Sequence, residues 1–244
     1  MNTETKRDMS ALYVPASIVI AALIIGAGLY FGLASKSSSA GVAPDGQPVA
    51  NVDIKDVETK GEPFIGKANA PVVMAFWSDF QCPFCKAFET GGIPQIQIEP
   101  ALPLLIKEYV STGKLKIVFK DFSFLSEDST TAALYGRAIW DLYQGQYFAW
   151  RTAMYEAQDE EHGGFGNAAS IDALIKKSYP EMDVAKIKAQ IESKKDAYNA
   201  IITANREEAS KMGINGTPGF IVGKTLISGA EQFPKFKTVI DELL

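Results

Sequence analysis

Cys82 and Cys85 are the only cysteines in this chain of 244 residues, and they stand three apart in Cys82-Pro83-Phe84-Cys85. Two thiols at that spacing can close a reversible disulfide, which is the chemistry of thiol-disulfide exchange. The run before them, Ala70-Pro71-Val72-Val73-Met74-Ala75-Phe76-Trp77, is apolar and rich in β-branched and aromatic side chains, and it reads as a buried central strand. Lys86 to Thr90 reads as helix, ending at Gly91-Gly92. Cys82 therefore falls at the first turn of a helix, where unpaired N–H groups and the positive end of the dipole favour a thiolate. A CxxC cysteine so placed titrates below the value of about 8.5 of a free thiol. Each unit of depression is worth about 1.4 kcal/mol in favour of the reduced form, so the disulfide becomes an oxidant. Pro83 suits the first helical position because the N–H it lacks would be unpaired there. Cys82 is expected to be the exposed, attacking thiol and Cys85, one turn further in, the sheltered one.

Two other uses of a cysteine pair compete with this one. As a structural staple, a disulfide closing a loop of about four residues gains only about 2 kcal/mol of chain entropy, little for a chain of this size. A zinc site needs four ligands, and the chain offers two cysteines and one distant histidine, His162. Neither a metal nor a cofactor beyond the Cys82-Cys85 disulfide itself is expected. His162 lies in the polar stretch Glu160-Glu161-His162-Gly163-Gly164 and reads as a solvated loop residue.

Three stretches together are similar to the DsbA-like thiol-disulfide oxidoreductases, a family with the thioredoxin fold. They are Ile65-Gly66-Lys67-Ala68-Asn69-Ala70-Pro71, Phe76-Trp77-Ser78-Asp79-Phe80-Gln81-Cys82-Pro83-Phe84-Cys85-Lys86, and Gly213-Ile214-Asn215-Gly216-Thr217-Pro218-Gly219-Phe220-Ile221-Val222-Gly223. The resemblance implies that Cys82 is the nucleophile, that Cys85 resolves, and that Thr217-Pro218 carries a cis peptide facing the disulfide. Held so, the backbone of Thr217 can receive an extended substrate segment as an added strand would. Taken without that context, Thr217-Pro218 is an ordinary trans turn after Gly213. The chain departs from the family pattern in three places. Phe76 stands where many members carry a buried glutamate, Phe84 where the strongest oxidants have histidine, and Gly219 follows the proline where a larger residue is usual. Since Phe84 can offer a thiolate neither a hydrogen bond nor a charge, a milder oxidant is expected. Asp79, Lys120 and Asp121 are the nearby charges that could act on the thiols, each more simply read as a solvated or turn residue.

The elements that must position this centre are legible in outline. A helix is expected from Pro100 to Thr112, then a half-buried strand in Lys114-Leu115-Lys116-Ile117-Val118-Phe119-Lys120. From about 126 to 212 apolar residues recur at helical spacing (Ala133, Ile139, Trp140, Tyr143; Ile187, Ile191, Tyr198, Ile202), broken near Gly145, the loop 159–169 and Tyr179-Pro180. This predicts a helical insertion. Its aromatics Trp140, Tyr143, Tyr147, Phe148, Trp150 and Tyr155 read as core in preference to a peptide groove, and Lys194-Lys195 and Arg206-Glu207-Glu208 as a solvated helix face. Phe220-Ile221-Val222 and Leu226-Ile227 around Gly223-Lys224 suggest a closing hairpin, followed by a helix from Phe233 to Leu243. The expected fold is α/β and thioredoxin-like with a helical insertion, preceded by one transmembrane helix.

That helix is residues 12–34, which hold no charge and are long enough to cross about 30 Å of hydrocarbon. A cleavable signal has a shorter apolar region, which favours an anchor, although Ser38-Ser39-Ala40 could serve as a cleavage site. Lys6 and Arg7 precede the span and only Lys36 closely follows it, so the N-terminal tail 1–11 is expected in the cytoplasm and the domain 52–244 outside. Residues 35–51, rich in Ser, Ala, Gly and Pro, read as a flexible tether. Disulfide chemistry suits the outer side. The formal charge of −5 falls wholly beyond the span and argues against a nucleic-acid partner. The expected partners are cysteine-containing exported proteins and a redox protein that resets the cysteine pair. The reaction can run as oxidation, or as reduction or isomerisation. A tethered binding or chaperone-like module with an incidental CxxC is the alternative from another class.

Overall fold

β2 (Val72–Ser78) is the strand expected from the apolar run, and it is buried along nearly its whole length at the centre of a five-stranded sheet. The computed structural model describes residues 52–159 and 163–244. The expected span 12–34, the tether 35–51 and His162 lie outside the described residues. Among the described residues no helix is long and apolar enough to cross a membrane.

The chain runs from β1 (Phe64–Ile65) and β2 into α1 (Pro83–Glu89) and α2 (Ala101–Leu105), which continues in a wider turn over Ile106–Val110 before β3 (Leu115–Asp121). Four helices follow, α3 (Glu127–Leu142), α4 (Gln144–Ala157), α5 (Ala168–Ser178) and α6 (Val184–Lys211). β4 (Gly219–Val222), β5 (Thr225–Ser228) and α7 (Phe233–Asp241) close the chain. The strands lie in the order β1-β3-β2-β4-β5. β2 and β3 are parallel, as a connection through helices requires, and the other three pairs are antiparallel. This is a thioredoxin-like α/β fold with a helical insertion between β3 and β4. β1 is only two residues long, too short to carry a pattern, and it has no counterpart in the sequence reading.

Alternation along β2 sorts its side chains between two layers. Met74 and Phe76 join Phe88, Phe119, Phe220 and Phe236 on one face, with the rings of Phe76 and Phe220 stacked 4.7 Å apart. Ala75 and Trp77 join Ile221, Ala209 and Ile214 on the other. Trp77 Nε1 donates to the Asn205 carbonyl at 3.0 Å, which ties α6 to that face. Phe76 is thus a core residue at the centre of an aromatic stack. The insertion builds a core of its own from Trp150, Tyr155, Met154, Tyr147 and Ile139, and that core includes Cys82, Cys85 and Phe80. The aromatics of the insertion are core, as expected.

Three helices of the insertion begin where a side chain serves their free N–H groups. Ser126 accepts from Ser129 N, Asn167 from Ser170 N, and Asp183 from Ala185 N and Lys186 N. The start of α1 differs: Cys82 occupies the cap position with no side-chain hydrogen bond to the helix, and Pro83 follows it.

Candidate active site

β2 ends at Ser78, and the turn Asp79 to Gln81 delivers the chain to Cys82 at the start of α1. The Cys82 carbonyl accepts from Cys85 N and Lys86 N at 3.1 Å each, the first hydrogen bonds of the helix. Across the turn lies Thr217-Pro218, which is cis, and the Cys82 thiol donates to the Thr217 carbonyl at 3.3 Å. The fold therefore brings together Cys82, Pro83, Phe84, Cys85, Asp79, Thr217 and Pro218. Gly219 next to the proline has a steric reason, because a Cβ there would lie 2.5 Å from Ile214 Cγ2.

Both cysteines are free thiols with unlike surroundings. A hydrogen bond from Cys85 lowers the Cys82 thiol to about 7, assisted by Thr217 and by the backbone N–H groups of Cys85 and Phe84, against the opposing effect of burial. Burial pushes Cys85 well above an ordinary thiol, and the Cys82 sulfur beside it adds to the shift. The Thr217 hydroxyl has no partner of its own and is near enough to both sulfurs to favour their thiolate forms.

The structure corrects the expected exposure. Cys85 is 0 % exposed, but Cys82 is also covered, at 4 %, because the Thr217-Pro218 loop and the insertion close over it. Phe84, at 51 %, is the residue of the motif that faces solvent. The two thiols are told apart by their hydrogen-bond partners more than by access.

Asp79 is likewise no solvated residue. Its carboxylate is buried and accepts from Gln81 N at 2.8 Å, Phe124 N at 3.0 Å and Leu125 N at 3.3 Å, so it joins the redox turn to the loop after β3. Burial raises its carboxyl, and the three amides pull it back. Lys120 and Asp121 also depart from the expected solvated reading. Lys120 is buried between the Glu58 carbonyl at 2.6 Å, Glu208 at 2.8 Å and Glu62 at 3.5 Å. Asp121 pairs with Arg137 at 2.6 Å, and Arg137 reaches Glu62 at 2.5 Å. Glu208, expected on a solvated face, is thus a partner of a buried lysine. These charges form a buried network that joins residues 58–62 to β3, α3 and α6, and none is a hydrogen-bond partner of a thiol.

A second buried group went unread in the sequence. Arg151 on α4 meets Glu89 on α1 through three hydrogen bonds of 2.5 to 3.1 Å and donates to Ser78 Oγ at 2.7 Å. Its guanidinium lies 4.6 to 5.5 Å from the ring centres of Phe76, Phe80, Phe119 and Tyr155. The available signal was an arginine on the apolar face of α4, set among Tyr147, Trp150, Met154 and Tyr155.

The asymmetry of the thiols makes a direct prediction. In the reduced protein iodoacetamide should label Cys82 first, with a rate that rises through pH of about 7 and falls about tenfold per unit below it, since only the thiolate reacts. Peptide mapping against pH checks this. Faster labelling of Cys85, or a midpoint near about 8.5, would reverse the assignment.

The comparisons with known proteins agree with this geometry. A family model described as thioredoxin matches residues 58–242. The probable disulfide bond formation protein D of Bacillus anthracis is 26 % identical over 180 residues, covering 74 % of this chain and 77 % of that one. Among solved structures, oxidised BdbD from Bacillus subtilis superposes with a TM-score of 0.65 at 22 % identity, over 76 % of this chain and 94 % of that one. The thiol-disulfide exchange protein alpha-DsbA2 from Wolbachia pipientis gives 0.62 at 25 % identity, over 76 % and 88 %. The chain belongs to the thioredoxin family and is a DsbA-like thiol-disulfide oxidoreductase.

Proposed function

We propose that this oxidoreductase is anchored in the membrane by residues 12–34 and, outside the cytoplasm, forms or exchanges disulfides in exported cysteine-containing proteins through Cys82-Pro83-Phe84-Cys85. The observation that carries the catalytic part is the opposed pair of thiols, Cys82 lowered to about 7 and Cys85 raised. A substrate thiolate attacks Cys82 Sγ of the disulfide, the S–S bond breaks, and Cys85 leaves as a thiolate that takes up a proton. A second substrate thiolate then attacks the substrate sulfur of the mixed disulfide, and Cys82 departs as a stabilised thiolate. The substrate loses two electrons and two protons, and the cysteine pair gains both. A redox partner must then reoxidise the pair. Thr217, with Pro218 beside it, offers its carbonyl next to Cys82, where an extended substrate backbone would lie.

The anchor rests on the uncharged stretch 12–34 with Lys6 and Arg7 before it, and residues 35–51 then serve as the tether of the domain 52–244. Membrane fractionation and protease protection test it, with the domain degraded only from the outer side. The chemistry is tested by mixing the oxidised protein with a reduced two-cysteine peptide, whose thiols should disappear as the protein's appear. Turnover that survives removal of both cysteines would favour a binding or chaperone-like module.

Phe84 bears on the direction of flux. Its backbone N–H already favours the Cys82 thiolate, but its ring adds no donor. Phe84→His should raise the reduction potential measured against glutathione, and an unchanged or lower potential would refute the link between this position and redox poise. Should the wild-type pair prove strongly reducing, the reductase or isomerase direction applies.

A further inference from the structure

Gln158 follows the last residue of α4, and its own N–H donates to the Tyr155 carbonyl at 3.2 Å to end the helix. Its side chain turns inward, is buried, and donates through Nε2 to the Phe80 carbonyl at 2.8 Å and the Cys82 carbonyl at 3.2 Å. Its backbone carbonyl accepts Lys86 Nζ at 2.8 Å. One turn earlier, Tyr155 Oη donates to the Asp79 carbonyl at 3.2 Å, and its ring stacks on Phe80 at 5.4 Å. The end of α4 thus supplies donors to three of the four carbonyls from Asp79 to Cys82.

This is more attachment than packing requires, and it falls on the segment that aims the sulfur. The Cys82 carbonyl keeps Cys85 N and Lys86 N and the Asp79 carbonyl keeps Cys82 N, but the Phe80 carbonyl has its donor in Gln158, and a buried carbonyl that loses its donor is costly, so without Gln158 the turn would shift to find another. The Cys82 carbonyl also begins the α1 ladder, and a displaced carbonyl would carry the Cys82 side chain away from the N–H groups of Phe84 and Cys85. We propose that Gln158 is a positioning residue for the redox centre, and that through it the end of α4 holds the turn so that the Cys82 sulfur stays against the amides at the start of α1.

The proposal rests on Cys82 being the attacking thiol. The other titratable groups around it are Cys85 and Lys86 on α1, Asp79 in the turn and Tyr155 on α4, and Lys86 feels Asp159 and Glu156 in turn.

The test compares Gln158→Met, which keeps length and apolar volume but removes the donor, and Gln158→Glu, which places a carboxylate against the two carbonyls. Met154→Ala serves as the control, because it opens a cavity in the core that also holds Phe80 and Cys82 but removes no hydrogen bond to the turn. Each protein is reduced, checked by circular dichroism, and titrated by alkylation rate against pH. Gln158→Met should move the Cys82 midpoint up by about one unit, roughly tenfold less thiolate at pH 6. Gln158→Glu should move it further, while Met154→Ala loses thermal stability with its midpoint in place. A Gln158→Met midpoint equal to that of the wild type overturns the proposal and leaves the role of Cys82 intact. An equal shift in Met154→Ala overturns it as well, by reducing Gln158 to a general stabiliser. A wild-type Cys82 that titrates as an ordinary thiol overturns both readings.

Discussion

Cys82→Ser is expected to bring disulfide formation down to the uncatalysed rate, whereas Cys85→Ser is expected to accumulate the enzyme-substrate mixed disulfide. The two outcomes differ because the two sulfurs do different work. Cys85, Thr217 and the amides that begin α1 stabilise a departing Cys82 thiolate, whereas at Cys85 burial and the neighbouring sulfur outweigh the hydrogen bonds that favour its thiolate. A serine alkoxide is far too basic to replace it, so no covalent intermediate forms. Without Cys85 the mixed disulfide loses its intramolecular escape and persists until a second external thiol arrives. Incubating each reduced variant with a two-cysteine substrate in its disulfide form, whose S–S bond the Cys82 thiolate attacks with the second substrate sulfur leaving as a thiolate, and resolving the adducts by mass spectrometry under non-reducing conditions separates the cases. Turnover by Cys82→Ser, or a failure of Cys85→Ser to accumulate adduct, would show that the roles are misassigned.

Arg151→Met is expected to destabilise the domain by about 3–5 kcal/mol, the cost of leaving one member of a buried ion pair without its partner. Glu89 and Arg151 are both almost wholly buried, and among the described residues the carboxylate has no other cation beside it. Burial already pushes the Glu89 carboxyl up, with Arg151 holding it back. Without the guanidinium, the folded-state value rises further above the unfolded one. The protonated folded form is then favoured, so the lost stability should be partly regained below about pH 4.5 and lost again as pH rises through the folded value. Glu89→Leu combined with Arg151→Met should recover most of the loss at neutral pH, since no charge is left buried. Urea unfolding of the three proteins at two pH values decides it. A loss below about 1 kcal/mol, or a double variant no better than the single, would mean that water reaches this pair.

How much of this could be read from the sequence depends on how far apart the cooperating residues lie. Strand β2, the CxxC at the start of α1, the helical insertion and the hairpin before α7 are written locally, in runs of alternating or helical period, and they are found in place. The juxtaposition of Thr217-Pro218 with Cys82 spans 135 residues and was reached by resemblance, since a lone Thr-Pro predicts only a turn. The features that were missed are polar contacts between distant elements. Glu89 and Arg151 are 62 residues apart, and Gln158 and Cys82 76 apart. Nothing local marks Glu89 as buried, because a charged residue near a helix end usually faces water. The cover over Cys82 went unseen for the same reason, as it is made by a loop and a helix end remote in the chain.

The buried lysine network has a mechanical meaning as well. The first described residues are moored in succession, Ile54 N to the Gly223 carbonyl at 2.7 Å, Glu58 to Glu208 and Lys120 at 2.7 and 2.6 Å, and Glu62 to Arg137 at 2.5 Å. All of these precede the short edge strand β1 and the central strand that leads to Cys82. A pull arriving through residue 52 would meet several fastenings in series before it reached β1 or β2. A load applied at residue 52 would thus meet these hydrogen bonds and ion pairs first, as a cable's strain relief takes a pull ahead of the connection it guards.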